Sequence, residues 1–198
     1  LELQIALGNA LIATKGFAAA EVEQTYGRAW QLCQQVYAGE TSHMFPILYG
    51  RWAYNLVRGA YRTAYHLAEE FLDLAQRQHD PAIIVAHRCV GWSSTPMGEL
   101  VAARAHFEQI AALYDPELHR PLTFQYGLDP GPDGMSLGAL NLWLLGYVEQ
   151  ARRWSDRALM LAREAAHANS LAYSLVFASL FQHFCQERAV AQERAEEA

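Results

Sequence analysis

The sequence predicts an all-α fold, a right-handed α-solenoid of about five helix-turn-helix repeats. Ala and Leu carry much of the 52% hydrophobic content and β-branched residues form no long runs, which favours helices over strands. Apolar residues recur at the helical spacing of three and four, and no segment alternates long enough with the period of two typical of a strand. Turn residues recur about every 40 residues, as expected for stacked helical repeats.

Ten helices are predicted, arranged as five pairs. In chain order they cover residues 1–15, 22–36, 44–58, 60–78, a pair within 82–116, 134–145, 147–166, 169–185 and 188–198. Gly16, Gly39 and Gly59 end the first three helices, because glycine is favoured just beyond a helix C-terminus. Asp80-Pro81 marks the start of the fifth, because proline is favoured in the first turn of a helix.

The segment Ala82–Pro116 is predicted to be the pair around which the chain is organised. Its first helix carries Gly91, Gly98 reverses the chain, and the second helix carries Ala103 and Phe107. We expect Gly91 and Ala103 to let two antiparallel helices approach closely. Phe107 would then fill the gap to the next pair.

The same pattern of turn and small residue recurs along the chain. Positions equivalent to the turn at Gly98 are Gly16, Gly59, Gly146 and Gln186. A small residue follows most of these turns by five positions, at Ala64, Ala103, Ala151 and Ala191. One pair cannot bury its own apolar face, so neighbouring pairs are predicted to stack in register.

A Pro/Gly-rich insertion at about 114–133 interrupts the repeats. Its density of helix breakers is incompatible with a continuous helix. The glycine-rich part from Gly127 to Gly134 lacks a lysine and a preceding strand, so we interpret it as a compact surface loop rather than a phosphate site. Phe124 and Tyr126 are predicted to fold back into the groove of the array.

The pattern Gly91-x6-Gly98-x4-Ala103-x3-Phe107, closing at Asp115-Pro116, resembles the tetratricopeptide repeat (TPR). Segments 7–22, 102–119 and 142–147 are similar to the helical C-terminal region of large bacterial signalling proteins. In those proteins a class III adenylate/guanylate cyclase or kinase-type domain precedes a signal-transduction ATPase. The resemblance implies that residues 1–198 are a single TPR-like repeat domain, a fragment of a longer protein with a regulatory or scaffolding role.

The TPR resemblance also places a binding groove on the concave face, formed by the first helix of each pair. The groove positions that it selects are Tyr49, Arg88, Trp92, Leu140, Trp143, Tyr173 and His183. Trp, Tyr and Arg contribute much of the binding energy at protein interfaces, so these residues suit an extended peptide or a flat ligand. The alternative is that Trp92 and Trp143 simply pack between helices.

The leading functional prediction is a non-catalytic protein-interaction and regulatory module. Its partner would be a peptide, another protein or other domains of the same chain, and an uncapped end of the array could form a homodimer. The alternative is a small-molecule sensor that holds a ligand between Trp92, Trp143 and the insertion. Pocket shape separates the two, because a small ligand favours a closed apolar cavity.

Composition and motifs argue against other classes. A net charge of −6 argues against a nucleic-acid surface, and the apolar stretches are too short to span a membrane. Cys33, Cys89 and Cys185 are odd in number and far apart, so we predict free thiols in a cytoplasmic protein. One ExxH motif at 40–43 is insufficient for a di-iron site. We therefore predict no catalytic residue, no metal and no cofactor.

Overall fold

The computed structural model describes residues 1–36 and 43–198, and the regular structure in these residues is entirely helical. The prediction of an all-α fold is therefore confirmed. The described chain divides into two compact units, Leu1–Met97 and Gly98–Ala198. The predicted helix end at Gly39 lies outside the described residues.

The first unit is built from consecutive antiparallel helices. Over its described residues they are α1 (Glu2–Lys15), α2 (Ala20–Val36), α3 (Met44–Val57), α4 (Tyr61–Gln78), α5 (Ile83–Ser94) and a 3-10 turn at Thr95–Met97. Each helix packs against the next, and α3 also contacts α1 and α5. The first helices of successive pairs are therefore neighbours, as stacked repeats require.

Tyr26 on α2 is at the centre of the first core. Its ring lies beside Gly8 on α1 and Gly50 on α3, and a Cβ atom added at Gly8 would lie 2.6 Å from the ring. The Tyr26 hydroxyl donates to the Asn9 side-chain oxygen at 2.8 Å. Because Gly8 and Gly50 leave room for the ring, one tyrosine holds three helices together, and Val22 and Ile47 pack in the same cluster.

The second unit repeats this arrangement around a different centre. Its helices are α6 (Leu100–Leu113), α7 (Pro116–His119), a 3-10 turn at Arg120–Leu122, α8 (Thr123–Tyr126), α9 (Pro130–Leu144), α10 (Val148–Ala165), α11 (Ala168–Phe184) and α12 (Arg188–Glu197). Helix α9 packs against α6, α10 and α11, and α11 packs against α10 and α12. Residues 114–129 of the insertion contain only one-turn helices, as their breakers predict, and residues 130–133 form the first turn of α9.

The helices on either side of Gly98 belong to different compact units, so the close approach predicted for them stays a prediction. Helix α5 packs against α4 in the first unit, and α6 packs against α9 in the second. Phe107 on α6 does face the first helix of the next pair, because a Cβ added at Gly138 would lie 3.1 Å from its Cβ. That part of the prediction is confirmed.

A stripe of glycines on α9 accommodates α6. Gly131, Gly134 and Gly138 recur at a helical spacing. Tyr114 and Ile110 occupy the space above the first two, and the Trp154 ring of α10 and the Cβ of Phe107 occupy the space above Gly138. The prediction of a surface loop over 127–134 is wrong for its second half, because residues 130–134 are buried in the first turns of a helix. The glycine spacing of three and four was the available signal for a helix face.

Helix α9 also begins earlier than predicted, at Pro130 instead of Gly134. Asp129 caps it by accepting a hydrogen bond from the backbone N–H of Gly131 at 3.2 Å. The prolines at 130 and 132 do not break the first turn, because the first N–H groups of a helix have no partner within it. Asp129-Pro130 is therefore a helix start of the same type as Asp80-Pro81. Its position among other prolines makes it look like part of a loop in the sequence.

The predicted repeat register is confirmed at the turns. All five proposed turn residues have positive φ angles: Gly16 (81°), Gly59 (77°), Gly98 (81°), Gly146 (86°) and Gln186 (63°). The small residues five positions after the last four turns are buried, at Ala64, Ala103, Ala151 and Ala191. The shared backbone geometry shows that α3–α4, α9–α10 and α11–α12 are equivalent pairs.

Candidate interaction surface

The partly exposed apolar side chains on α9 and α11 form the first candidate surface. Trp143 and Phe184 stack with ring centroids 4.7 Å apart and an interplanar angle of 19°. Phe184 is 39% exposed and the neighbouring Leu144 is 44% exposed. We call this the α9–α11 aromatic face, and its residues are Leu140, Trp143, Leu144, Tyr173, Phe177 and Phe184.

Helical spacing explains why these side chains share one face. Tyr173, Phe177 and Phe184 lie four and seven residues apart on α11, and the Tyr173 and Phe177 rings are 4.7 Å apart. Leu140 and Leu144 have the same relation on α9. The two helices are the first members of successive pairs and pack against each other. Of the predicted groove residues, Leu140, Trp143 and Tyr173 lie on this face.

A second apolar surface lies between α11 and α12. It forms a cleft of about 530 Å³ lined by Val176, Ser179, Leu180, His183, Ala191, Gln192 and Ala195. We call it the α11–α12 groove. Its lining includes His183 of the predicted residues, but neither Trp92 nor Trp143. The groove is open, which is the shape expected for a protein segment rather than for an enclosed small ligand.

The remaining predicted residues lie in the first unit. Arg88 is 5% exposed and Tyr49 is 8% exposed, whereas Trp92 is partly exposed. The Arg88 guanidinium lies over the Trp52 ring at 5.0 Å, and one of its nitrogens is 3.5 Å from the Tyr49 hydroxyl. Trp52 in turn donates to the Ser93 hydroxyl at 2.9 Å. Arg88 therefore takes part in a buried cation–π cluster with two aromatic rings.

Phe124 and Tyr126 of the insertion lie in opposite environments. Tyr126 is 6% exposed, but Phe124 is 93% exposed on the one-turn helix α8. The prediction that both residues fold back into the groove is therefore wrong for Phe124. A helix of four residues can direct only one of the two side chains inward, because positions two residues apart point in different directions.

Asp129 ties the insertion to three other elements. The Tyr114 hydroxyl donates to one carboxylate oxygen of Asp129 at 2.9 Å, and Arg120 lies 3.8 Å from the same oxygen. The Asp129 backbone N–H donates to the Ser170 hydroxyl at 2.9 Å. Burial raises the pKa of Asp129 above its usual range, and the hydrogen bonds from Tyr114 and Gly131 only partly oppose the rise in pKa. The cluster joins α6, the insertion, α9 and α11.

Arg152 on α10 fixes the turn before α12. Two guanidinium nitrogens donate to the two carboxylate oxygens of Glu187 at 2.6 and 3.1 Å. This bidentate hydrogen bond lowers the pKa of Glu187. Arg152 also lies 5.8 Å from the centre of the Phe181 ring. The ion pair therefore helps to set the position of one wall of the α11–α12 groove.

The described residues supply limited material for chemistry. They contain no group of three or more His, Cys, Asp or Glu side chains that could hold a metal ion. Glu40 of the ExxH motif lies outside the described residues. Cys33 and Cys185 are free thiols whose pKa is raised by burial, and Cys89 is buried in α5. Within the described helices, none is both long and apolar enough to span a bilayer.

Comparisons with known proteins identify the fold. The chain superimposes on two crystal structures of nearly identical TPR-like repeats from Podosopora anserina, described as a kinesin light chain. The TM-scores are 0.69 and 0.67 at 13% sequence identity, with 100% and 99% of this chain and 92% of each structure covered. The protein therefore has a TPR-like repeat fold.

Sequence comparison adds a relative that is much longer than this chain. The chain matches no protein-family model. It is 26% identical over 172 residues to an uncharacterised protein of Rhizobium meliloti (strain 1021). The match covers 86% of this chain but only 16% of that relative, so the chain spans about a sixth of the relative's length.

Proposed function

We propose that this chain is a non-catalytic protein-interaction module that binds an apolar peptide or a partner domain on the α9–α11 aromatic face. The observation that carries the proposal is the stacked pair of Trp143 and Phe184 beside the exposed Leu144. Rigid aromatic side chains lose little conformational entropy on binding and contribute strongly at interfaces. A contiguous exposed apolar patch of this kind is typical of a binding site.

The wider context is also part of the proposal. The resemblance of three segments to bacterial signalling proteins supports a regulatory module of a larger cytoplasmic signalling ATPase or nucleotide cyclase. The length of the Rhizobium meliloti relative is consistent with a module carried in a much longer chain. In that setting, the partner would be another protein or another domain of the same protein.

Peptide display tests the proposed binding face. We expect selection on the immobilised chain to enrich peptides with aliphatic or aromatic residues at spacings that match the face. Leu144→Glu should weaken the binding of those peptides at least tenfold, about 1.4 kcal/mol, because it places a charge beside the Trp143–Phe184 stack. Fluorescence anisotropy with labelled peptides measures the change.

Met160→Glu is the matched control, because Met160 is 47% exposed on α10, outside the aromatic face. It makes the same change of charge and should leave peptide affinity within about twofold, since a surface charge outside the contact has little effect. Equal affinity of the peptides for wild type and Leu144→Glu, or failure to enrich any peptide, would contradict the proposal.

A further inference from the structure

We propose that the α9–α11 aromatic face binds a proline-rich segment in the polyproline II conformation. The inference rests on the proposed function, because it names the class of partner for that same face. Three observations carry it: the lack of charge on the two helices, the spacing of aromatic rings along α11, and the indole N–H of Trp143.

The two helices that present the face carry almost no charge. Helices α9 and α11 contain no lysine or arginine, and their one carboxylate, Asp133, is 4% exposed. His183, in the last turn of α11, lines the α11–α12 groove. A charged partner would therefore lose hydration on this face without meeting an opposite charge. The face matches a segment whose side chains are uncharged and apolar.

Aromatic rings recur along α11 at nearly the repeat of a polyproline II helix. Phe177 and Phe184 are two helical turns apart in the sequence, which is about 10.5 Å along the helix axis. A polyproline II helix advances about 9.3 Å per turn, whereas a β-strand repeats one face about every 6.6 Å. Phe177 pairs with Tyr173 and Phe184 with Trp143, each at a centroid distance of 4.7 Å. Prolines one turn apart can therefore each contact one ring pair.

The indole N–H of Trp143 distinguishes a polyproline II segment from an amphipathic helix. Trp143 is partly exposed, and its indole nitrogen makes no hydrogen bond to any of the described residues. A polyproline II helix has no internal hydrogen bonds, so its carbonyl oxygens are available as acceptors. The carbonyl oxygens of an α-helix are bonded within the helix except in its last turn. A polyproline II segment therefore offers Trp143 an acceptor along its whole length.

Fluorescence anisotropy with two labelled peptides tests the inference. One peptide is four repeats of Pro-Pro-Leu and the other is four repeats of Gly-Ala-Leu. Both carry leucine at every third position, but only the proline peptide is already in the polyproline II conformation. We expect the proline peptide to bind at least about tenfold more tightly, because the flexible peptide loses more conformational entropy on binding.

Three variants locate the bound peptide. Leu144→Glu should weaken binding of the proline peptide at least about tenfold, and Val101→Glu, at a 75% exposed position on α6 outside the face, should leave it within about twofold. Trp143→Phe keeps a ring but removes the indole N–H, so it should weaken binding about three- to tenfold. The indole N–H resonance that Trp143→Phe lacks belongs to Trp143, and in the wild type it should shift when the proline peptide is added. This NMR titration does not depend on the stability of any variant.

Failure of this inference and failure of the proposed function give different results. If peptides enriched by display bind the face and the proline peptide binds no more tightly than the Gly-Ala-Leu peptide, the inference is overturned and the proposed function stands. If neither the enriched peptides nor the proline peptide binds, both are overturned. Binding of the proline peptide that is unchanged in Leu144→Glu, or that leaves the Trp143 resonance in place, would also overturn the inference.

Discussion

At Asp129, one buried residue connects several elements through its hydrogen bonds. The side chain is fully buried, and it accepts from the Tyr114 hydroxyl and from the N–H of Gly131. A buried carboxylate is expensive unless its hydrogen bonds are satisfied. Because these bonds are made, Asp129 can hold the insertion in place and cap α9 at the same time. The raised pKa is the remaining sign of its burial.

We predict that Asp129 makes the stability of the chain depend on pH. Burial holds the pKa of Asp129 above its ordinary value of 3.8, so the folded state retains the proton more tightly than the unfolded state. The contribution of Asp129 to stability is therefore greatest below the unfolded pKa and is lost as pH rises through the folded pKa. The free energy of unfolding of wild type relative to Asp129→Asn should fall as pH rises above about 4, measured by urea titrations.

Glu187 provides a control of opposite sign. The bidentate hydrogen bond from Arg152 lowers the pKa of Glu187 below its ordinary value of 4.5. Its stabilising contribution is therefore present above the unfolded pKa and is lost as pH falls through the folded pKa. Relative to Glu187→Gln, the wild type should gain stability as pH rises towards 4.5, whereas relative to Asp129→Asn it should lose stability as pH rises above 3.8. Parallel trends for the two variants would contradict both assignments.

At the scale of the element, α9 depends on the absence of side chains along one face. Glycine in a helix costs about 1 kcal/mol relative to alanine, so three glycines in one helix need a compensating contact. Gly131, Gly134 and Gly138 have that contact in side chains of α6, of the residue that follows it and of α10. The packing contacts at these glycines offset the free energy that α9 loses through its low helix propensity.

We predict that Gly138→Ala destabilises the chain by about 1–3 kcal/mol, because the new methyl group would meet the Trp154 ring and the Cβ of Phe107. Gly27→Ala on α2 is the matched control. A Cβ at Gly27 has no atom within 4 Å, so the same substitution there should stabilise by about 0.5–1 kcal/mol. Chemical unfolding measures both changes. Stabilisation by Gly138→Ala would contradict the prediction, because Trp154 and Phe107 would then have moved away from residue 138 at no cost in folding free energy.

The success of sequence-based prediction differs between elements for physical reasons. Turn positions such as Gly59 and Gly146 were predictable, because a positive φ angle restricts the choice of residue locally. The start of α9 was missed, because Pro130 and Pro132 have opposite meanings in a loop and in a first helical turn. The contact of Phe107 on α6 with the next pair was predictable, because its spacing from the turn at Gly98 repeats along the chain.

The candidate site shows the same division. The TPR resemblance selected Leu140, Trp143 and Tyr173 as groove residues, and the structure places them on α9 and α11; a binding role for them stays a prediction. The exposure of a side chain depends on the whole surrounding packing. Arg88 could not be recognised as buried from its own neighbours in the sequence, since its contacts are the rings of Tyr49 and Trp52 on another helix.

At the scale of the whole molecule, stability should be distributed over neighbouring helices rather than concentrated in one core. In the described chain, α9 packs against α6, α10 and α11, whereas α1 packs against α2 and α3. In such arrays, stability approximates a sum of local terms and nearest-neighbour terms. A destabilising substitution in one helix is therefore expected to affect the stability of its direct neighbours most.

Amide hydrogen exchange can test this distribution. In the Gly138→Ala variant we expect exchange to accelerate in α6, α9 and α10, because these helices meet around residue 138, and to change by less than about twofold in α1 and α2. Mass spectrometry of peptic fragments resolves the individual helices. Uniform acceleration over the entire chain would show a single cooperative unit instead.

The helical glycines also limit how this protein can be engineered for heat resistance. Replacing glycine by alanine inside helices is a standard route to higher melting temperature, and a scan of the sequence would offer Gly8, Gly50, Gly131 and Gly134 as targets. Each of these positions is occupied by a neighbouring side chain, whereas Gly27 is open. Replacing these four glycines by alanine on the basis of helix propensity alone would therefore not raise the melting temperature. The opposing side chain would have to be made smaller at the same time.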